Sequence, residues 1–357
     1  MKILLLKFRN IGDVLLSTPL VNNLRHHYPN AQIDFCVNKE TEAMLTLNPN
    51  LNKIITYDRI AIKSLTSIKR FWRELQFIRS FKKENYDVVI NLTSGDRGNL
   101  IAWISNATTR IGYSNKSWFF RKSLTHELPK QELRHTVDAS LDPLRLLNIP
   151  ISNKSVEIFW NSKDEQAISS ELTNINNFIH LHPVSRWLFK CISDNTMAQI
   201  IDYCQLNIGL KVVITASEDK FELEKVNKIL SLTKSKPINL SGKLSLKETA
   251  ALNKKAKLFI GVDTSIMHIS ASNNVPVLAF FGPSGACHWG PWDNSIATSG
   301  YSRIKGFQVM GMHRVFSESR PCQPCGKDGC DGTKISDCLM NLDFEKIKGN
   351  IVEMLDD

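Results

Sequence analysis

No apolar run in this 357-residue chain approaches the roughly 18 residues that a membrane-spanning helix needs. The first run, Ile3 to Leu6, is four residues long. A transmembrane helix and a secretory leader are therefore not expected, and retention in the cytosol is the default. No G-x-G-x-x-G follows the first strand-like run, and no G-x-x-x-x-G-K-[ST] occurs. The first absence argues against a nicotinamide dinucleotide site and the second against a P-loop. Neither an internal repeat nor a low-complexity tract stands out, which removes solenoids and linker-rich chains. Acid is also scarce in one half: residues 1–155 carry 23 Lys and Arg against 13 Asp and Glu, whereas residues 156–357 carry 22 of each. The whole net charge of +10 thus lies in the first half. Such a division suggests that one domain faces a polyanion or an anionic membrane surface; a basic protein with merely solvated lysines would not divide this way.

What is present reads as α/β. At 40.5 kDa the chain is too long for one core and fits two domains of roughly 150 to 180 residues. The organising stretch is the first. Ile3 to Leu6 is a buried parallel strand by composition, Gly12 lies in the turn after it, and a helical pattern begins at Asp13. In doubly wound sheets ligands bind beyond the carboxyl ends of strands, so Asp13 points to the ligand crevice. At a helix N-terminus its carboxylate is favoured in the ionised form, as a general base or simply as a cap. Pro19 removes a backbone donor from the same helix and should bend or interrupt it.

Strands are then expected at residues 32–37, 53–57 and 86–92. Between the last two, residues 59–83 place Ile62, Leu65, Ile68, Trp72, Leu75 and Ile78 at spacings of three and four, with lysines and arginines between. This is an amphipathic helix whose apolar stripe is expected to pack in the core and whose basic face suits anionic headgroups or a phosphorylated acceptor. The strand at 86–92 ends in a polar loop with Asp96 and Arg97, where Arg97 either binds an anion or pairs with Asp96. The helical pattern stops near Pro150, which sets the domain boundary.

The second half restarts the alternation. A strand at 178–182 leads into a loop with Ser185, Arg186 and Lys190; a strand at 210–216 leads to Glu218; and a strand from Leu258 leads through Asp263 and Thr264 to Ser265 and His268. Amides at such a helix start hold phosphates, and Thr264 and Ser265 add hydroxyls. His268 reads equally as a ligand to phosphate or sugar and as a structural histidine. Two α/β domains across a cleft, with a candidate base in the first and phosphate-holding features in the second, suit a nucleotide-sugar transferase better than a dehydrogenase.

The stretches from Lys7 to Pro19 and from Gly261 to His268 resemble the lipopolysaccharide heptosyltransferases of glycosyltransferase family 9, and the likeness runs nearly end to end. Asn91 to Gly98 and the tail Pro321 to Cys330 are similar to the branch that adds a branching heptose to the inner core. The resemblance implies a GT-B architecture: two Rossmann-like doubly wound parallel-sheet domains facing across a cleft. Residues 1–150 would bind the acceptor, with Asp96 and Arg97 on that side, and residues 151–340 would bind ADP-heptose. A closing helix in 341–357 would pack back on the first domain. By the same resemblance Asp13 is the base of an inverting transfer, Lys190 with Ser185 nearby and Arg186 as competitor binds the diphosphate, and Glu218 binds the ribose. Asp263, Thr264, Ser265 and His268 form the donor loop, in which Ser265 replaces the family's glycine. The implied partners are ADP-heptose, the lipopolysaccharide inner core and the cytoplasmic face of the inner membrane, with no nucleic acid and no required divalent metal. A different nucleotide-sugar donor, or a non-catalytic nucleotide-sugar-binding protein, would share most of these features.

Of eight cysteines, Cys36, Cys191, Cys204 and Cys287 are scattered and read as small inert thiols. Cys322, Cys325, Cys330 and Cys338 sit close together in a Gly-rich segment. Free thiols are the favoured reading there, a structural zinc the second and disulfides the third.

Overall fold

The computed structural model describes residues 1–114, 123–130, 132–172 and 175–356. The chain divides into two compact units, one made of Met1–Glu132 and Thr136–Phe159, the other of Leu133–His135 and Trp160–Asp357.

The first unit is a six-stranded sheet in the order β3-β2-β1-β4-β5-β6. Its strands are β1 (Lys2–Lys7), β2 (Gln32–Asn38), β3 (Lys53–Tyr57), β4 (Val88–Asn91), β5 (Thr109–Tyr113) and β6 (His126–Leu128). Every pairing is parallel. Parallel strands are covered on both faces, and Ile3 to Leu6 are accordingly almost wholly buried. The order reverses between β1 and β4, which places the loops after these two strands side by side.

The second unit repeats the plan with the order β12-β13-β11-β10-β7-β8-β9. Its strands are β7 (Phe178–His182), β8 (Lys211–Ile214), β9 (Ile238–Asn239), β10 (Leu258–Val262), β11 (Val277–Phe280), β12 (Gln308–Met310) and β13 (His313–Phe316). Only β12 runs antiparallel among the described strands, on the sheet edge against β13. The switch point lies between β7 and β10. Gly261 permits their close approach, since a Cβ there would lie 2.7 Å from the His182 carbonyl oxygen.

The helix expected after the first strand is two helices, α1 (Ile11–Leu15) and α2 (Thr18–His27), broken before Pro19 as its missing N–H requires. The expected helix at 59–83 is also divided, into α3 (Arg59–Lys63) and α4 (Ser67–Ser80). Its stripe does not all reach the core. Ile78 is buried, but Ile68 and Trp72 are exposed: Ile78, in the last turns of α4, joins the cluster of Phe81 and Tyr86 with Leu4, Leu6 and Val89 of the sheet, and Ile68 and Trp72 do not.

The first unit extends past Pro150 to Phe159, because the extended segment is tied to α2: Ser152 N–H donates to Asn23 Oδ1 (2.8 Å) and Glu157 N–H to Thr18 Oγ1 (3.1 Å). The closing helix (Phe344–Asp356) completes the core of the second unit. Ile347, Ile351 and Met354 are buried in the same core as Ile179 and Ile260 of the second sheet. Among the described residues no helix is long and apolar enough to cross a membrane.

Candidate functional site

In the first unit the ligand end is built on the loops after β1 and β4. Asn10 caps α1, which puts Asp13 at the third helical position, from where its Oδ2 accepts the Asn10 N–H at 3.3 Å. Arg9 Nε lies 3.5 Å from Oδ1, and the Asp13 side chain is 8% exposed. The capping role is thus real, and it aims the carboxylate as well as ending the helix. Lys7 stands behind it. Its Nζ donates to the Leu92 carbonyl (3.2 Å), and burial pushes its pKa down while the Asp13 carboxylate works in the opposite direction. Nothing in the sequence marked Lys7 except its position at the end of β1.

Arg97 and Asp96 open the helix after β4, Asp96–Ile104. Arg97 is paired across the unit with α4 and β3. Its guanidinium donates to Glu74 Oε1 (3.0 Å) and to Tyr57 Oη (2.8 Å) and lies over the Tyr57 ring at 4.1 Å. Both sequence readings missed Glu74 because it comes from α4, far away in the chain.

In the second unit the loops after β7 and β10 meet in one ionic cluster. Lys190 Nζ lies 2.6 Å from Asp263 Oδ2, and Ser284 Oγ donates to the same oxygen at 2.5 Å. Burial raises the Asp263 pKa, but Lys190, Ser284 and His268 together outweigh it and hold the carboxyl below its usual range. Ser284 was legible in the sequence only as part of a Gly-Pro-Ser-Gly loop. The helix that follows, Ser265–Ser272, starts at this cluster, with Thr264 as its extended N-cap. The Thr264 Oγ1 is buried and has no hydrogen-bond partner among the described residues. Ser265 takes the first helical position without a positive φ, so a side chain in place of glycine causes no backbone strain there.

Beneath this cluster runs a buried polar chain that sequence reasoning did not find. Asn273 Nδ2 donates to the Ala250 carbonyl (2.8 Å) and to Asn253 Oδ1 (3.0 Å), which orients the Asn253 amide. Asn253 Nδ2 therefore donates to His180 Nδ1 (3.0 Å), and His180 carries its proton on Nε2, facing Thr215 Oγ1 at 2.8 Å. Thr215 then gives its one proton to His182 Nδ1 at 2.9 Å. This assignment follows from the network and leaves the His182 proton on Nε2. Burial pushes His182 down to about 4 and His180 well below its ordinary value, so both rings are neutral at pH 7. The signal was a pair of histidines two apart on one strand, hence on one face.

The remaining predicted residues are more loosely placed. Ser185 Oγ accepts the Trp187 N–H (3.2 Å) and so shapes its own loop. Arg186 is exposed over the Trp187 ring at 5.5 Å. Glu218 is exposed in the loop after β8, whereas nearby Glu222 is buried and its Oε2 accepts the Ser217 N–H at 3.1 Å, fixing that loop. Of the clustered thiols, Cys322 is exposed, Cys325 and Cys330 are half-buried and Cys338 is buried. Burial pushes Cys338 up to about 11, against the pull of Arg320. Among the described residues no three His, Cys, Asp or Glu side chains converge as a metal site, so the zinc reading of Cys322, Cys325, Cys330 and Cys338 lacks a ligand set.

Comparison with known proteins gives a consistent picture. The model of glycosyltransferase family 9 (heptosyltransferase) matches residues 74–308. Lipopolysaccharide heptosyltransferase 3 of Escherichia coli is 30% identical over 292 residues, covering 80% of this chain and 84% of that protein. Among solved structures, the family 9 glycosyl transferase of Veillonella parvula aligns with a TM-score of 0.79 at 23% identity, over 99% of this chain and 97% of that one. The E. coli heptosyltransferase WaaC with ADP aligns with a TM-score of 0.73 at 15% identity, over 99% of this chain and all (100%) of that one.

Proposed function

The chain belongs to glycosyltransferase family 9, the heptosyltransferases, and on that premise we propose that it moves a heptose from ADP-L-glycero-β-D-manno-heptose to a heptose of the lipopolysaccharide inner core. Asp13 takes the proton of the acceptor hydroxyl as that oxygen attacks the anomeric carbon. The bond from that carbon to the diphosphate breaks with inversion, and ADP leaves with the electron pair. Such a base contributes roughly 10²- to 10⁴-fold to the rate. As ADP departs, charge grows on its diphosphate, so a cation and helix-end amides held there in advance act where they are needed.

The observation that carries this reading is the ion pair of Lys190 with the buried Asp263, bound by Ser284, at the start of the helix Ser265–Ser272. It fixes a cation beside a helix N-terminus, and the partnerless Thr264 hydroxyl supplies a further donor. Lys190 holds the diphosphate, with Thr264, Ser265 and the amides behind them. Asp263 and His268 orient the sugar and phosphate, Ser185 and Arg186 close the loop, and Glu218 reaches the ribose. On the acceptor side Asp96 lies in the loop after β4, and Arg97, fixed by Glu74 and Tyr57, forms its wall. Because the acceptor is a lipid-borne glycan, the reaction belongs at the cytoplasmic face of the inner membrane.

The test is ADP release from that donor with a truncated core already carrying two heptoses, for the parent and for Asp13→Ala. Release that depends on acceptor and nearly vanishes in the variant supports the reaction and the base. Release from a UDP- or GDP-sugar instead would assign another donor, and none with any pair would assign a binding protein.

A further inference from the structure

The segment of α3 and α4 carries an exposed face that the core of its unit does not use. Ile60 is 70% exposed, Ile68 74%, Phe71 61% and Trp72 60%. At about 100° per residue, Ile68, Phe71 and Trp72 fall within a sector of roughly 100° on one side of α4. Ile78 continues the same stripe, about 20° from Phe71, but it comes in the last turns of α4, where it and the Phe81 that follows the helix pack on the sheet and are buried. Phe71 and Trp72 pack edge to face, ring centroids 5.8 Å apart, as a single aromatic wedge. Around the wedge Lys69, Arg73, Arg79 and Lys83 are all exposed. Residues 59–83 contain eight Lys and Arg and one acid, Glu74, and Glu74 is taken by Arg97 and Tyr57.

The charge selects the occupant. A second copy of this chain would bring the same cations against themselves, and an uncharged protein surface would leave them unanswered. A bilayer with anionic lipid meets both features: aromatic rings enter the headgroup boundary and the cations sit over phosphates. We infer that this face of α3 and α4 docks the first unit in the plane of an anionic lipid surface. This rests on the reading above, in which the acceptor is carried by a lipid, and it names the surface that finds it.

The experiment is co-sedimentation of the full chain with phosphatidylcholine vesicles, with and without phosphatidylglycerol. Binding is expected to the anionic vesicles and to weaken at high salt. Phe71→Ser with Trp72→Ser should lower it at least about tenfold, and Lys69→Gln and Lys83→Gln about fivefold each. Turnover of a soluble deacylated acceptor should be unchanged in all of them. Failure of the parent to bind anionic vesicles, or equal binding by the wedge variant, overturns the inference. So does a dimer in light scattering that the wedge variant dissolves, since the occupant is then a second copy. Vesicle binding without turnover of any acceptor would leave the docking face standing and remove the transferase reading.

Discussion

The two units share a sheet plan and differ in where their charge is placed. In the first, net positive charge is spread over an exposed surface, and the Asp13 carboxylate at the ligand end is held by a helix cap and by Arg9 at 3.5 Å. In the second, which with its neighbours from residue 156 onward is formally neutral, the charges at the ligand end are buried, paired and backed by a hydrogen-bonded chain from Asn273 to His182. On the function we propose, the same fold would serve two tasks: a site for a large glycan whose base is held by a helix cap, and a site for a leaving diphosphate whose cation is fixed in advance.

The sharpest way to break this comparison is Asp13→Ala, which should lower turnover by roughly 10²- to 10⁴-fold while costing only about 0.5–2 kcal/mol of stability through the lost cap; both are read from one preparation. Lys190→Met should act on the other unit and on stability too. It strands Asp263, buried at 7% side-chain exposure, without its cation, at a cost of about 3–5 kcal/mol in denaturant unfolding. Adding Asp263→Asn should recover most of that stability and none of the activity.

The buried histidines give the second unit a pH dependence of its own. An unfolded His binds its proton near pH 6.5, whereas His182 in the fold does so only near 4, so the unfolded chain takes up protons that the fold refuses. Stability should be full above pH 6.5 and fall between 6.5 and 4, by on the order of 3 kcal/mol for His182; unfolding midpoints across that range measure it. Thr215→Val removes the hydroxyl that joins His180 to His182 and should cost about 1–3 kcal/mol. The smallest effect is Arg97→Lys, which loses the fork to Glu74 and Tyr57 and should cost about 1 kcal/mol with no change in ADP affinity.

Much of this was legible in sequence because local chemistry decided it. The run Ile3 to Leu6, the break before Pro19, and the strand-turn-helix at Leu258 to His268 each carry their own signal. Asp13, Lys190 and Asp263 were named because they follow strands at the ends where such sheets bind ligands. What failed depended on contacts between distant residues. Arg97 found Glu74 on another helix, and Ser284 joined Asp263 from a different loop. Helical spacing gave Ile68 and Trp72 a common face with Ile78 but not which turns of α4 overlie the sheet. The apolar spacing of the closing helix did not say which core Ile347, Ile351 and Met354 complete, and they lie in that of the second unit.

The division of labour is tested most directly by calorimetric titration of ADP into the parent, Asp13→Ala and Lys190→Met. The account predicts that Asp13→Ala binds ADP as the parent does and that Lys190→Met binds at least about tenfold more weakly. Equal weakening in both variants, or unchanged affinity in Lys190→Met, would contradict it.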